Sequence, residues 1–174
     1  MSGRSGQFAI LAALVALVAG GVSLSEEVDR KPVVSEAVAA AIKADLAWYI
    51  EGATDQAATG KVAPEVANLC LASDQPLDYD LLADRLAGAF LHVVPVADCT
   101  SKTVEGDFGM FSAMTTWFDG SGKEAGHLTV QAVNCSTARR CIVDTASIGA
   151  GMRYQVDRVG DVWAVTNSEM RWVV

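Results

Sequence analysis

The residues best suited to chemistry in this chain of 174 are its four cysteines, its two histidines and the carboxylates that would partner them. The densest cluster is Asn134-Cys135-Ser136-Thr137-Ala138-Arg139-Arg140-Cys141. A structural zinc site asks for cysteines two to four residues apart, often with histidine nearby. Here five residues intervene, and His92 and His127 belong to other segments, so no metal is expected. A thioredoxin-like site asks for C-x-x-C, which is absent. A nucleophilic thiol needs a base. Arg139 and Arg140 would lower a thiol pKa, but arginines in a turn are ordinarily just solvated. Asn134-Cys135-Ser136 fits the glycosylation pattern, which a disulfide-tied middle cysteine would block. The remaining reading is structural: an even count in an exported chain argues for disulfides, with three connectivities open. Cys70–Cys99 with Cys135–Cys141 is the favoured set, because the second pair would face each other across one hairpin.

Other candidates are weaker. His127 opens a strand pattern and Asp144 lies inside the next, so pairing of those strands would make them neighbours. An aspartate facing an apolar cavity serves as a general base with a raised pKa. The plainer alternative leaves Asp144 on a solvated face and His127 at a wet strand end. Tyr49, Trp117 and Tyr154 could line a cavity for a small apolar ligand, or fill the core as aromatics usually do. Gly120-Ser121-Gly122-Lys123 resembles a phosphate loop, but Trp117 stands where that motif needs glycine and Glu124 where it needs Ser or Thr. No dinucleotide fingerprint, HExxH, GxSxG or EF-hand loop occurs, and no cofactor is expected.

The elements that must position these residues follow from patterning. Residues 8–19 are apolar without a break, preceded by Arg4 and followed by Gly20-Gly21-Val22-Ser23. Residues 1–24 therefore read as a secretory signal peptide or, uncleaved, a membrane anchor through residues 8–24. Residues 25–174 hold 12 cations against 21 carboxylates, a balance of −9 that disfavours nucleic acid and anionic lipid. Residues 25–34 read as a linker and residues 35–174 as one domain. Val38, Ile42, Leu46, Tyr49 and Ile50 predict a helix over 35–55, capped by Ser35. Pro64 opens a short helix over 64–71. Asp78 caps another whose stripe is Leu82, Leu86, Ala89, Phe90 and Val93, stopped by Pro95. β-Branched and aromatic runs at 108–118, 127–135, 141–148, 152–158 and 162–173, separated by glycine-rich turns, predict an antiparallel meander. Leu128, Val130 and Ala132 are expected on one face of the second of these strands.

The helix holding Ala47-Trp48-Tyr49-Ile50-Glu51-Gly52 and the closing run Tyr154 to Val165 resemble the NTF2-like (cystatin-like, cone-shaped) superfamily. Leu69-Cys70-Leu71, with Val94-Pro95-Val96-Ala97-Asp98-Cys99 further on, resembles a group of small exported bacterial proteins of unknown function; Ala97 stands where that pattern tends to have Ser. The resemblance implies an α+β fold: N-terminal helices packed on a curved antiparallel four- to five-stranded sheet, with a pocket. The expected function is an exported, non-catalytic binding or protein-interaction module, with a homodimer, a protein partner or a small apolar ligand. The alternatives are an isomerase- or cyclase-type enzyme using a pocket acid and a membrane-tethered accessory subunit. Any contact by the cysteine cluster falls to Arg139 and Arg140.

Overall fold

The computed structural model describes residues 30–108 and 111–173; the signal or anchor expected over 1–24 lies outside them. No described helix is long and apolar enough to cross a membrane. The first helix, α1, covers residues 30–45 and so takes in part of the expected linker. Its buried face is Ala37, Val38, Ala39, Ala41 and Ile42, and the alanines let the backbone approach the sheet closely. A break at Leu46 separates α1 from α2 (Ala47–Thr59), where one helix was expected. α2 ends on Gly60 at φ 63, the left-handed conformation glycine adopts without strain. Ser35 does not cap α1. It is buried inside the helix, and its hydroxyl accepts from the backbone N–H of Asp78 at 2.8 Å. Asp78 is the expected cap of α3 (Tyr79–Ala87), its carboxylate accepting from Leu81 N–H at 3.1 Å. Glu36 receives the Arg85 guanidinium and ties α1 to α3.

Two helix expectations give way to strands. Residues 67–73 form β1 (Ala67–Ser73), not a helix. Its burial runs without alternation through Leu69, Cys70 and Leu71, the mark of a strand covered on both faces. α3 stops at Ala87 before Gly88, and the chain turns through Phe90 at φ 58 into β2 (Leu91–Pro95). Leu82 and Leu86 are the core stripe of α3, whereas Val93 is buried from a strand. Pro95 closes β2 at the rim of the sheet, where a missing N–H costs little.

After a 3-10 turn (Val96–Asp98) come β3 (Thr100–Phe108), β4 (Phe111–Phe118), β5 (Glu124–Thr137), β6 (Arg140–Ser147), β7 (Ala150–Val159) and β8 (Val162–Val173). The predicted meander is present as β4 to β8, with β3 in addition. The fold class needs correction. The chain forms one eight-stranded mixed sheet in the order β2-β1-β5-β6-β7-β8, with the β3–β4 hairpin branching off, rather than a four- to five-stranded antiparallel cone. β1 runs parallel to both β2 and β5, and the β1–α3–β2 crossover explains why a strand precedes a helix. α1 and α3 pack with Leu69, Leu71, Leu128, Val130, Val143, Tyr154 and Val156 in one core.

The face assignment along β5 also changes. A bulge between Val130 and Ala132 sets Ala132 beside Asp144, away from the core, while Val133 pairs with Val143 on the core face. Two-residue turns at Ile148-Gly149 and Gly160-Asp161 close the last hairpins, with both glycines at positive φ.

Candidate functional site

β5 is the strand around which the site is built. Along one edge it pairs with β1, from Asn68 opposite Ala125 to Ser73 opposite Val130. Ala125 also pairs with Trp117 of β4, and Val130 also pairs with Thr145 of β6. A strand has two edges, so β4 and β6 share the one that β1 leaves. They part between Ala125 and Thr129. At this fork a cleft of about 950 Å³ opens, walled by Met114–Trp117 of β4, Lys123 and the first residues of β5 from Glu124 to His127, Glu65–Asn68 entering β1, Tyr49 of α2 and Ile148 of the β6–β7 turn.

The floor is aromatic. The rings of Trp117 and His127 stack with centroids 4.1 Å apart and planes within 8°. Burial pushes the His127 pKa below its usual value, so the ring is uncharged at neutral pH. Gly126 lies close to the core: a side chain there would meet Leu69 Cδ1 at 3.3 Å. Tyr49 lines the cleft, but its hydroxyl donates to the Glu65 carbonyl and fixes the chain entering β1. At the far end of the β4–β5 hairpin Asp119 accepts from Ser121 N–H at 2.8 Å and Lys123 N–H at 3.0 Å. Glycine at 122, φ 81, completes this tight turn, so the residues resembling a phosphate loop form a β-turn.

Both disulfides join the favoured partners, Cys70–Cys99 and Cys135–Cys141. Cys70 lies directly opposite His127 in the β1–β5 register, so the first disulfide backs the wall of the cleft. Cys135 faces Cys141 across the β5–β6 hairpin. No cysteine is free and no cluster of metal-ligating side chains occurs among the described residues.

Of the five expected pocket residues, three meet in the cleft: Tyr49, Trp117 and His127. Asp144 and Tyr154 do not. Asp144 is buried on the opposite face of the sheet from the core, where its carboxylate accepts from Arg153 Nε at 2.7 Å, Arg153 Nη2 at 2.8 Å and Arg171 Nη1 at 2.8 Å. The Arg153 hydrogen bonds hold its pKa below the usual carboxylate range, against the opposing effect of burial. That is the reverse of a poised general base, and it is not a solvated carboxylate either. Tyr154 points into the core, and its hydroxyl donates to Asp45 at the end of α1 at 2.6 Å. Burial, with that bond, raises its pKa well above the ordinary phenol value.

Val66, Met114 and Ile148 are the large apolar cleft residues that patterning missed. Each is a large apolar side chain left in water at an entry, a wall or a turn, and only the assembled fork shows that they surround one space. Among the described residues His127 has no carboxylate hydrogen-bonded to it. The cleft offers apolar side chains and a stacked ring pair, with Glu65, Lys123 and Glu124 also on its walls. Compared with known protein families, with curated proteins and with solved structures, the chain finds no match in any of the three.

Proposed function

We propose that this chain is an exported, disulfide-stapled binding module that holds an apolar ligand in the fork cleft without transforming it. One observation carries the reading. Val66 (53% exposed), Met114 (52%) and Ile148 (74%) are large apolar side chains left in solvent, and all three line the cleft that holds the Trp117–His127 stack. Scattered apolar residues on a surface need no explanation, whereas a cluster around an aromatic floor marks a binding surface. Export is supported by two disulfides and by the pattern of residues 1–24.

The test uses the uncharged fluorescent probe N-phenyl-1-naphthylamine. The wild-type protein is expected to enhance its emission saturably at one site. Trp117→Ala should weaken that binding about tenfold, the loss of roughly 1.4 kcal/mol that one aromatic contact provides. Asp144→Asn should leave it unchanged. Equal binding by wild type and Trp117→Ala would remove the cleft from the account.

Introducing a charge at the rim gives a second check. Ile148→Asp places a carboxylate at an exposed turn position, so folding stability should change by less than about 0.5 kcal/mol. Probe binding should nonetheless fall several-fold. A large stability loss without a binding loss would mean that Ile148 is structural.

A further inference from the structure

We propose that the arginine corner formed by the tips of the β5–β6 and β7–β8 hairpins is a docking site for a short acidic segment of a protein partner. The two tips are locked together: Arg158 N–H donates to the Arg139 carbonyl at 2.8 Å, and the Cys135–Cys141 disulfide closes the hairpin immediately behind. Between them runs a groove of about 490 Å³ bordered by Arg139, Arg140 and Arg158, with Asp157 its one carboxylate.

The three guanidiniums are not equally engaged. Asp157 accepts from Arg140 Nε and also from Thr166 Oγ1 and Gln155 Nε2, so its carboxylate is fully committed. The Arg140 hydrogen bond is the main reason its pKa falls to about 2, and it fixes Arg140 in place at any physiological pH. Arg158 reaches only Asp161, at 3.3 Å, on a fully exposed side chain. Arg139 meets no carboxylate among the described residues; its Nη2 lies 3.5 Å from the Arg158 carbonyl. Three cations thus stand beside two carboxylates, Asp157 in the groove and the fully exposed Asp161 at the β7–β8 turn, and Arg139 forms no ion pair among the described residues.

The distribution of charge along the chain sets this corner apart. Residues 25–134 carry seven cations against 17 carboxylates, whereas residues 135–174 carry five, all arginine, against four; three of the five form this corner and the other two, Arg153 and Arg171, hold Asp144. Arginine differs from lysine in presenting a planar fork that pairs bidentately with a carboxylate. A solvated tip would be served equally by lysine. The acidic remainder also selects the partner: the net −10 of residues 25–134 disfavours a long polyanion, whereas a short acidic segment needs only the corner.

The probe is fluorescein-labelled hexaglutamate, followed by anisotropy on the disulfide-intact protein at about 20 mM salt, where surface charges are weakly screened. Binding is expected. Arg139→Ser with Arg158→Ser should weaken it about tenfold, and raising the salt to about 200 mM should weaken it severalfold. That double variant keeps the Arg140–Asp157 pair and should still bind the apolar probe at the cleft, which separates this site from the one above. No binding of hexaglutamate at low salt, or equal binding by the double variant, overturns the proposal. Duplex DNA of similar length binding as tightly as hexaglutamate overturns the choice of partner.

Discussion

Replacing Cys70 and Cys99 together by alanine should cost the fold about 3–4 kcal/mol, the largest loss expected from any change that leaves the core packing otherwise intact. The disulfide closes a ring with a sequence separation of 29, against 6 for Cys135–Cys141. In the chain-entropy view the longer ring restricts the unfolded state more, about 3.6 against about 2.4 kcal/mol. Cys70 is fully buried, so alanine is the right replacement: serine would add a buried hydroxyl in need of a partner. For a chain of this size the loss corresponds to a midpoint lowered by roughly 10 °C. The effect should also be local. Cys70 sits opposite His127, so loosening β1 from the segment after the 3-10 turn should disturb the Trp117–His127 floor. Urea unfolding of this variant beside Cys135→Ala with Cys141→Ala checks the ranking. Equal losses, or a larger loss from the hairpin pair, would sink the entropic explanation.

Asp144→Asn should destabilise the protein by about 1–2 kcal/mol at neutral pH, and the deficit should shrink in acid. The carboxylate is buried, and it accepts from two arginines that are themselves 40% and 43% exposed, so solvent screening keeps the cost below that of a fully buried pair. Removing the charge leaves Arg153 and Arg171 converging on a neutral amide, with Glu169, opposite Arg153 on β8, as the remaining nearby carboxylate. The pH dependence follows from the direction of the shift. The folded-state pKa of Asp144 lies below its unfolded value of about 3.9, so its contribution is complete above that pH and is lost as the pH falls through the folded-state value. Wild type and variant should therefore approach each other as the pH falls below the unfolded-state value of about 3.9. An unchanged difference there would show that the side chain's shape, not its charge, is what the sheet needs.

Much of the sheet was legible because its punctuation is chemical. Glycine-bearing turns at Gly122, Gly149 and Gly160 require positive φ, and the runs between them are β-branched and aromatic. The Cys135–Cys141 pairing followed from the hairpin it spans. β1 was hidden because Leu69-Cys70-Leu71 is a short continuous apolar run, whose period cannot separate a buried strand from a helix. α3 was read too long because Leu82, Leu86, Ala89 and Val93 keep helical spacing across Gly88, although the chain has already reversed. Parallel pairing of β1 depends on the crossover through α3, and no local pattern encodes it.

The site was half legible for a related reason. Tyr49, Trp117 and His127 gather because they bracket turns or strand ends that meet at the fork. Asp144 and Tyr154 were misplaced because their faces depend on pairing. Val143, Asp144 and Thr145 are all buried, Asp144 beneath two arginines rather than in an apolar cavity, and Tyr154 is drawn inward by Asp45. The bulge before Ala132 then shifts the face of everything after it on β5. Where β4 and β6 separate from a shared edge is a property of the whole sheet, so the fork itself, with Val66, Met114 and Ile148 around it, had no signature in sequence.

The most direct test of the cleft is a residue-resolved map of where an apolar ligand sits. Amide chemical shifts of the 15N-labelled protein, followed as the uncharged N-phenyl-1-naphthylamine is added, should move at Met114–Trp117, Ala125–His127 and Ile148 while Asp144, Arg153 and Tyr154 stay still. Shifts centred instead on the exposed Met170 and Trp172 of β8, with the fork unmoved, would contradict the account.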